Sequence, residues 1–334
     1  MVHVSSFFLE ILQKGFKLFI YSILYYNKND SLERMRVMNI ITTPYHIQDL
    51  ERLKEAGAHT VIVSNPFFSA RGAAYEEVEM LWKYKQECQR LGLSLYVQVN
   101  RLFMEEELDK LRSHLRFLKE VDVDGIYFGD EAVLQEAQLL GIEDKLIYNP
   151  DTLITNAMDV NYYLEEGLKS VSLSREITLE EICEIAGKCD PKKVEVMIHG
   201  RMNMMHSKRA LISNYLTFIN KEHDVKNNHD LYIIENTRDE RMPILEDDLG
   251  THVFTGFTLA SFEEYKALHE AGIYNVRIDG IFQDIDTLCK VVQDYCAILN
   301  GNKNGTDVWN EYQETYPQDN YTKGFYYTKT SKTR

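Results

Sequence analysis

The chain predicts an α/β fold, a (β/α)8 TIM-like barrel with one irregularity, a long excursion after the seventh strand. Three observations predict it. Short runs rich in Val and Ile recur eight times. Helical stretches of about 10 to 17 residues separate them, which is the connection parallel strands need. Polar residues gather just after each run, at the strand ends where a barrel builds its site.

Each element has a local reason. Ile40 to Thr43 is an apolar β-branched run, stiff at χ1 and suited to a strand. The helix His46 to Ala56 stops at Gly57, and Thr60 to Ser64 is the second strand. The helix Tyr75 to Leu91 ends at Gly92, a residue that takes the left-handed conformation of a helix end without strain. Leu93 to Val99 is the third strand, with Met104 to Glu120 as its helix. Gly125 to Phe128 is the fourth, followed by the helix Glu131 to Leu140 and a closing Gly141. Lys145 to Tyr148, Ser170 to Leu173 and Val194 to Ile198 are strands five to seven, with helices near Asn156 to Glu166 and Thr178 to Ala186 between them. Asn275 to Ile278 is the eighth, after the helix Phe262 to Ala271 and before Ile285 to Leu299. Between His199 and Phe262 lies the excursion: a helix Ser207 to Phe218, a polar stretch Asn220 to Asp230, and strands Leu231 to Glu235 and Val253 to Gly256. Long connections at this end of a barrel commonly carry function. The alternative is a hairpin that only stabilises the rim.

Composition bounds the function. The chain has 334 residues, 44% of them hydrophobic, enough for a full core in residues 38–300. A net charge of -15 opposes unaided binding to nucleic acid or anionic membrane, without excluding a local basic patch. The five cysteines are scattered, without CxxC or Cys/His zinc spacing, which fits buried thiols in a reducing cytoplasm and no metal site. Residues 301–334 form a basic, aromatic tail, from Tyr321 through Lys332 and Arg334, of a kind that stacks on bases and meets phosphates. The alternative is a tail packed on the barrel.

Residues 1–37 stand apart. Phe7 to Tyr26 is long enough for a membrane span, yet Glu10, Lys14 and Lys17 interrupt it and no small-residue cleavage site follows. No stable span is expected. A membrane-surface helix is one alternative, and a mis-called start at Met35 or Met38 is the other, because Glu33-Arg34 fits purine-rich codons resembling a ribosome-binding site.

Polar residues after the strands form a set: Arg71 after strand two, Asn100 after three, Asp130 after four, Asn149 and Asp151 after five, Ser174, Arg175 and Glu176 after six, His199 after seven, Arg277 and Asp279 at eight. In a barrel they converge. Several guanidinium groups beside amides suit a small anion such as a dicarboxylate. For Asp130, Asp151, Ser174 and Thr178 the competing role is a helix N-cap. His199 is the proton-transfer candidate, with Arg175 and Glu176 as its catalytic neighbours, because an imidazole titrates near neutral pH. Arg71, Arg175 and Arg209 are expected to hold carboxylates or phosphates, and Asn100 and Asn156 to orient the ligand. Ser207 and Asp279 complete the binding set. Arg201, His206, Lys208 and Arg209 form a second basic patch.

The same segments resemble a known family. Gly57-Ala58, Ser69-Ala70-Arg71-Gly72, Gln98-Val99-Asn100, Thr155-Asn156, Ser172-Leu173-Ser174-Arg175-Glu176-Ile177, the Val194 to Tyr215 block, and Glu246-Asp247-Asp248-x-Gly-Thr fall where they do in the collagenase-like peptidase family U-32. The resemblance covers roughly Met38 to Leu299, and Lys323-Gly324-Phe325 is also family-like. Members are labelled proteases, yet better-understood relatives act in oxygen-independent hydroxylation. One branch makes 5-hydroxyuridine at the tRNA wobble position with prephenate as co-substrate, and such relatives carry cysteines for an iron–sulfur cluster. Here Asn203 and Ala210 stand where the first of those cysteines fall, the later cysteine-rich segment is replaced by Asn220 to Asp230, and a Gly-Arg pair common after the eighth strand is Gly280-Ile281. The resemblance therefore implies no cluster on this chain and a longer, cluster-bearing paralogue as partner, with tRNA and prephenate as ligands. Peptidase activity and a non-catalytic scaffold role are the alternatives; no HExxH or nucleophile–base pairing is evident. A chain beginning at Met38 is expected to stay soluble and folded when expressed; loss of folding on that truncation would contradict the mis-called start.

Overall fold

Alternation within each strand divides the molecule into an inside and an outside. On β4 (Gly125–Phe128), Ile126 and Phe128 face outward into the main core while Tyr127 points into the barrel. The structure, a computed structural model, describes residues 37–236 and 240–329. The expectations for residues 1–36 and 330–334 lie outside the described residues.

The strands β1 (Asn39–Thr42), β2 (Thr60–Ser64), β3 (Ser94–Val99), β4, β5 (Leu146–Tyr148), β6 (Ser170–Ser172) and β7 (Val194–Gly200) pair in parallel in chain order. Between them run α1 (Asp49–Ala56), α2 (Leu81–Leu91), α3 (Leu108–Val121), α4 (Glu131–Leu140), α5 (Ala157–Glu165) and α6 (Leu179–Ala186). The helix ends follow the expected stops: Gly92 and Gly141 take φ of 66° and 64°, and their N–H groups close the last turns.

The chain then leaves the barrel. β8 (Asn203–Ser207), α7 (Leu211–Phe218), β9 (Tyr232–Ile234), β10 (Arg241–Asp247) and β11 (Gly250–Phe254) build a separate antiparallel sheet in the order β8-β11-β10-β9. β12 (Thr258–Ala260) pairs antiparallel with β7, and α8 (Tyr265–Glu270) leads into β13 (Asn275–Ile278). β13 joins β7 to β1 and closes the eight-stranded barrel. α9 (Ile285–Leu299), α10 (Gly305–Thr315) and β14 (Tyr321–Thr322) follow. Among the described residues no helix is long and apolar enough to cross a membrane.

Inside the barrel, Ile41, Ile62, Tyr96, Tyr127 and Ile147 form an apolar plug. Charge sits against it. Buried Glu195 of β7 accepts hydrogen bonds from Tyr127 and, at 2.9 Å, from Ser172, and lies 4.0 Å from the Arg277 guanidinium. A buried carboxylate persists where partners replace its water.

The excursion departs from expectation in two ways, and the tail resolves one alternative. The helix expected from Ser207 begins at Leu211, because Asn203 to Ser207 pairs with β11 instead, from Thr251↔Ser207 to Phe254↔Asn203. Long-range pairing overrides local pattern there. β10 was not expected; it carries Pro243, which has no N–H to give a neighbouring strand. The C-terminal tail packs: Tyr312, Tyr321 and Tyr326 are buried, and the Tyr326 hydroxyl lies 2.8 Å from Ser261 Oγ. Tyr321 and Tyr326 are therefore not available to stack on bases.

His199 is likewise corrected. Counting by twos from inward-facing Glu195 would aim it into the barrel, but the register with β13 slips: Arg277 opposes Met197, and Ile278 opposes His199. A bulge of this kind moves the following side chain to the other face. His199 points into the outer core among Phe262, Tyr295, Tyr312 and Tyr321, at ring-centroid distances of 5.7, 6.0, 6.5 and 5.7 Å. It is fully buried, neither ring nitrogen has a partner among the described residues, and burial lowers its pKa to about 3. It is a neutral core residue. The unfolded chain takes up this proton below about pH 6.5 and the folded one does not, so stability is full above that pH and falls on acidification toward 3. His199→Phe is expected to flatten the loss of stability between pH 6.5 and 4 in urea titrations, leaving neutral-pH stability within about 1.5 kcal/mol of wild type. An unchanged pH slope would contradict this placement.

Candidate functional site

Parallel strands end on one face, so residues distant in sequence meet there. The cavity at the C-terminal ends of the barrel strands is lined by Arg71, Gln98, Asn100, Asn149, Asp151, Arg175, Arg277 and Asp279, with Arg201, Asn203 and Phe254 added from the excursion. Its free space is about 10 Å³, room for one water.

Asp151 is the hub. Its Oδ2 accepts from Arg71 Nη2 at 2.8 Å and its Oδ1 from Arg175 Nη2 at 2.6 Å. Asp151 sits at φ 64°, a left-handed conformation that Asp tolerates better than most residues, and this turns the carboxylate between the two guanidiniums. Arg71 also has a positive φ, 59°, and the turn before it is pinned. Asn65 N donates to Ser69 Oγ at 2.9 Å, Ser69 Oγ donates to Gln98 O at 2.6 Å, and Asn100 clasps Ala70 through both its amide atoms at 2.9 and 3.1 Å. Asn100 thus lines the cavity while its amide holds the Arg71 turn.

Burial alone would raise the Asp151 pKa, but Arg71, Arg175 and Arg277 hold it below the ordinary carboxylate value. Burial lowers Arg175, while for Arg277 the carboxylates of Glu195 and Asp279 outweigh burial and raise it. Four arginines thus face two aspartates in one enclosed space. Such a site favours anions.

The expected residues divide. Arg71, Asn100, Arg175 and Asp279 line the cavity. Asn156 does not: it caps α5, its Oδ1 accepting from Met158 N and Asp159 N at 2.9 and 3.0 Å. Ser207 accepts from Arg209 N at 3.2 Å at the end of β8, and Arg209 is exposed; both lie outside the lining, as do Glu176 and His199. Gln98, Arg201, Asn203 and Phe254 enter the site without having been expected there; for Gln98, alternation along β3 was the available signal.

His206, expected in the second basic patch with Arg201, Lys208 and Arg209, instead belongs to a histidine pair that sequence reasoning missed. His206 and His252 stack on paired strands β8 and β11, their Nδ1 atoms 3.1 Å apart, and His252 Nε2 lies 3.4 Å from Asp247. They are cross-strand partners, as are Asn203 and Phe254 of the cavity wall. Burial, then His252 and Arg71, lower the His206 pKa to about 4, so it is neutral at pH 7.

The cysteines do not fit an iron–sulfur cluster. Cys88 is on α2, Cys183 on α6, Cys189 just beyond it, and Cys289 and Cys296 on α9; burial raises all five thiols. Among the described residues no three His, Cys, Asp or Glu side chains gather as a metal site would require.

Comparison with known proteins places this geometry. The chain is 31% identical over 264 residues to tRNA hydroxylation protein P2 of Bacillus subtilis, covering 78% of this chain and 85% of that protein. It is 25% identical to tRNA hydroxylation protein P1 of the same organism, over 75% of this chain and 61% of that longer protein. tRNA hydroxylation protein P of Escherichia coli is 24% identical over 80% of this chain and 70% of its own length. The profile of Peptidase family U32 matches residues 46–334. With that match, and with a barrel whose strand ends present the Ser-Arg-Glu and His-Gly blocks, the chain belongs to peptidase family U32.

Proposed function

We propose that this chain acts in the 5-hydroxylation of tRNA wobble uridine, with prephenate as co-substrate and a longer, cluster-bearing family member as partner, in the cytoplasm. The observation that carries the reading is the arginine cavity. Arg71 and Arg175 present guanidinium forks toward one point, with Arg277 beneath, and a dicarboxylate offers two planar anions that forks grip in fixed geometry. Names of the relatives support the RNA substrate.

In this reading Asp151 holds the forks while the site is empty. The free space of about 10 Å³ is too small for a dicarboxylate, so a ligand enters as the Asp151 side chain swings aside. The chain's own contribution is then to bind and orient an anionic co-substrate at the barrel mouth, and the iron–sulfur chemistry falls to the partner. A peptidase reading finds less support: the cavity lining contains no Ser, Thr, Cys or His to serve as nucleophile or base.

In cells lacking this gene, Arg175→Ala is expected to leave tRNA without its 5-hydroxyuridine when nucleosides are weighed by mass spectrometry. Arg175→Lys keeps the charge but not the fork, and should restore only part. Circular dichroism and urea titration check that both variants fold. Full modification with Arg175→Ala, or a gene deletion that leaves 5-hydroxyuridine unchanged in a strain that keeps the longer partner but no second short family member, would refute the reading.

A further inference from the structure

α7 breaks the rule that an apolar helix hides. Its sequence, Leu-Ile-Ser-Asn-Tyr-Leu-Thr-Phe, is rich in large apolar residues, yet none is buried. Tyr215 is 60% and Phe218 83% exposed, and on the adjoining strand Met204 and Met205 are 48% and 54% exposed. Tyr215 and Phe218, three residues apart on one helix, share a face, and exposed apolar surface of this kind marks an interaction site.

The charge around it points to the occupant. From Gly200 to Lys221 there is no Asp or Glu, while Arg201, Lys208, Arg209 and Lys221 are all cationic, in a chain whose net charge is -15. Lys208 and Arg209 are exposed, and Lys208 has Glu107 as an acidic neighbour without a direct ion pair to it among the described residues. Glu246, the carboxylate beneath the start of α7, is buried and taken up by Ile212 N, Ser213 and Thr251. The patch is also continuous with the cavity: β8 begins at Asn203 in the cavity wall, and Lys208 Nζ donates to Leu102 O at 3.3 Å beyond the end of β3.

We propose that β8 and α7 form a docking surface for single-stranded RNA, with Lys208 and Arg209 on phosphates and Tyr215 and Phe218 as stacking faces that lead a nucleotide toward the cavity. This rests on the hydroxylation reading for the identity of the polymer. Exposed aromatic rings beside unpaired cations are how single strands are held without sequence readout. The cations that flank α7 on both sides, Lys208 and Arg209 before it and Lys221 after it, favour a polymer of phosphates over an uncharged protein face.

The test is fluorescence anisotropy of the full chain with a labelled seven-nucleotide, uridine-centred RNA, at several salt concentrations. Tyr215→Ser with Phe218→Ser should weaken binding by about 10-fold or more. Lys208→Gln with Arg209→Gln should weaken it similarly and reduce the slope of log K against log salt by about 1.4, the loss of two single-strand phosphate contacts. Wild-type chain that does not bind this RNA, or variants that bind as wild type does, would overturn the proposal. So would variants that bind RNA normally but change oligomeric state in light scattering, which would make the patch a protein interface. Because the readout is binding and not turnover, failure here leaves the Arg175 test standing.

Discussion

Asp151, between Arg71 and Arg175, is the contact on which the mouth of this barrel depends. The three residues follow β2, β5 and β6, so one carboxylate ties together loops that are far apart in sequence. Without it two largely enclosed guanidiniums, their side chains 13% and 8% exposed, would lose the carboxylate between them, and removing one partner from a buried pair costs up to about 3–5 kcal/mol. The carboxylate therefore fixes the arginines in place, and under the proposed function it occupies the position that a ligand carboxylate takes.

The barrel supplies what this contact needs from below. The apolar plug of Ile41, Ile62, Tyr96, Tyr127 and Ile147 excludes water, and Glu195 with Arg277 carries charge up from that plug to the cavity floor. Charged groups so enclosed are screened little by salt, and their geometry is set by neighbouring strands and not by flexible side chains. The excursion completes the enclosure with Arg201, Asn203 and Phe254 and places the His206–His252–Asp247 chain on the same sheet.

Much of this was legible in the amino-acid order because its causes are local. Eight β-branched runs, and glycines at 57, 92 and 141 where helices must stop, are near-neighbour effects, and all eight strands form. The rule that strand ends converge found Arg71, Asn100, Arg175 and Asp279. It failed at His199, where a one-residue slip against β13 turns the side chain outward, a displacement no residue-by-residue pattern reveals. It failed at Asn156, where capping α5 is the stronger local demand. The four-stranded excursion was half hidden because β8 and β10 are defined by partners elsewhere in the chain.

Calorimetric titration of prephenate into the purified full chain tests the central claim, that Asp151 stands in the place of a ligand carboxylate, most directly. Wild type should bind, and Asp151→Asn, with its forks released, should bind at least several-fold more tightly. Binding by Asp151→Asn that is equal to wild type or weaker, in protein that circular dichroism shows to be folded at the titration temperature, would contradict the account.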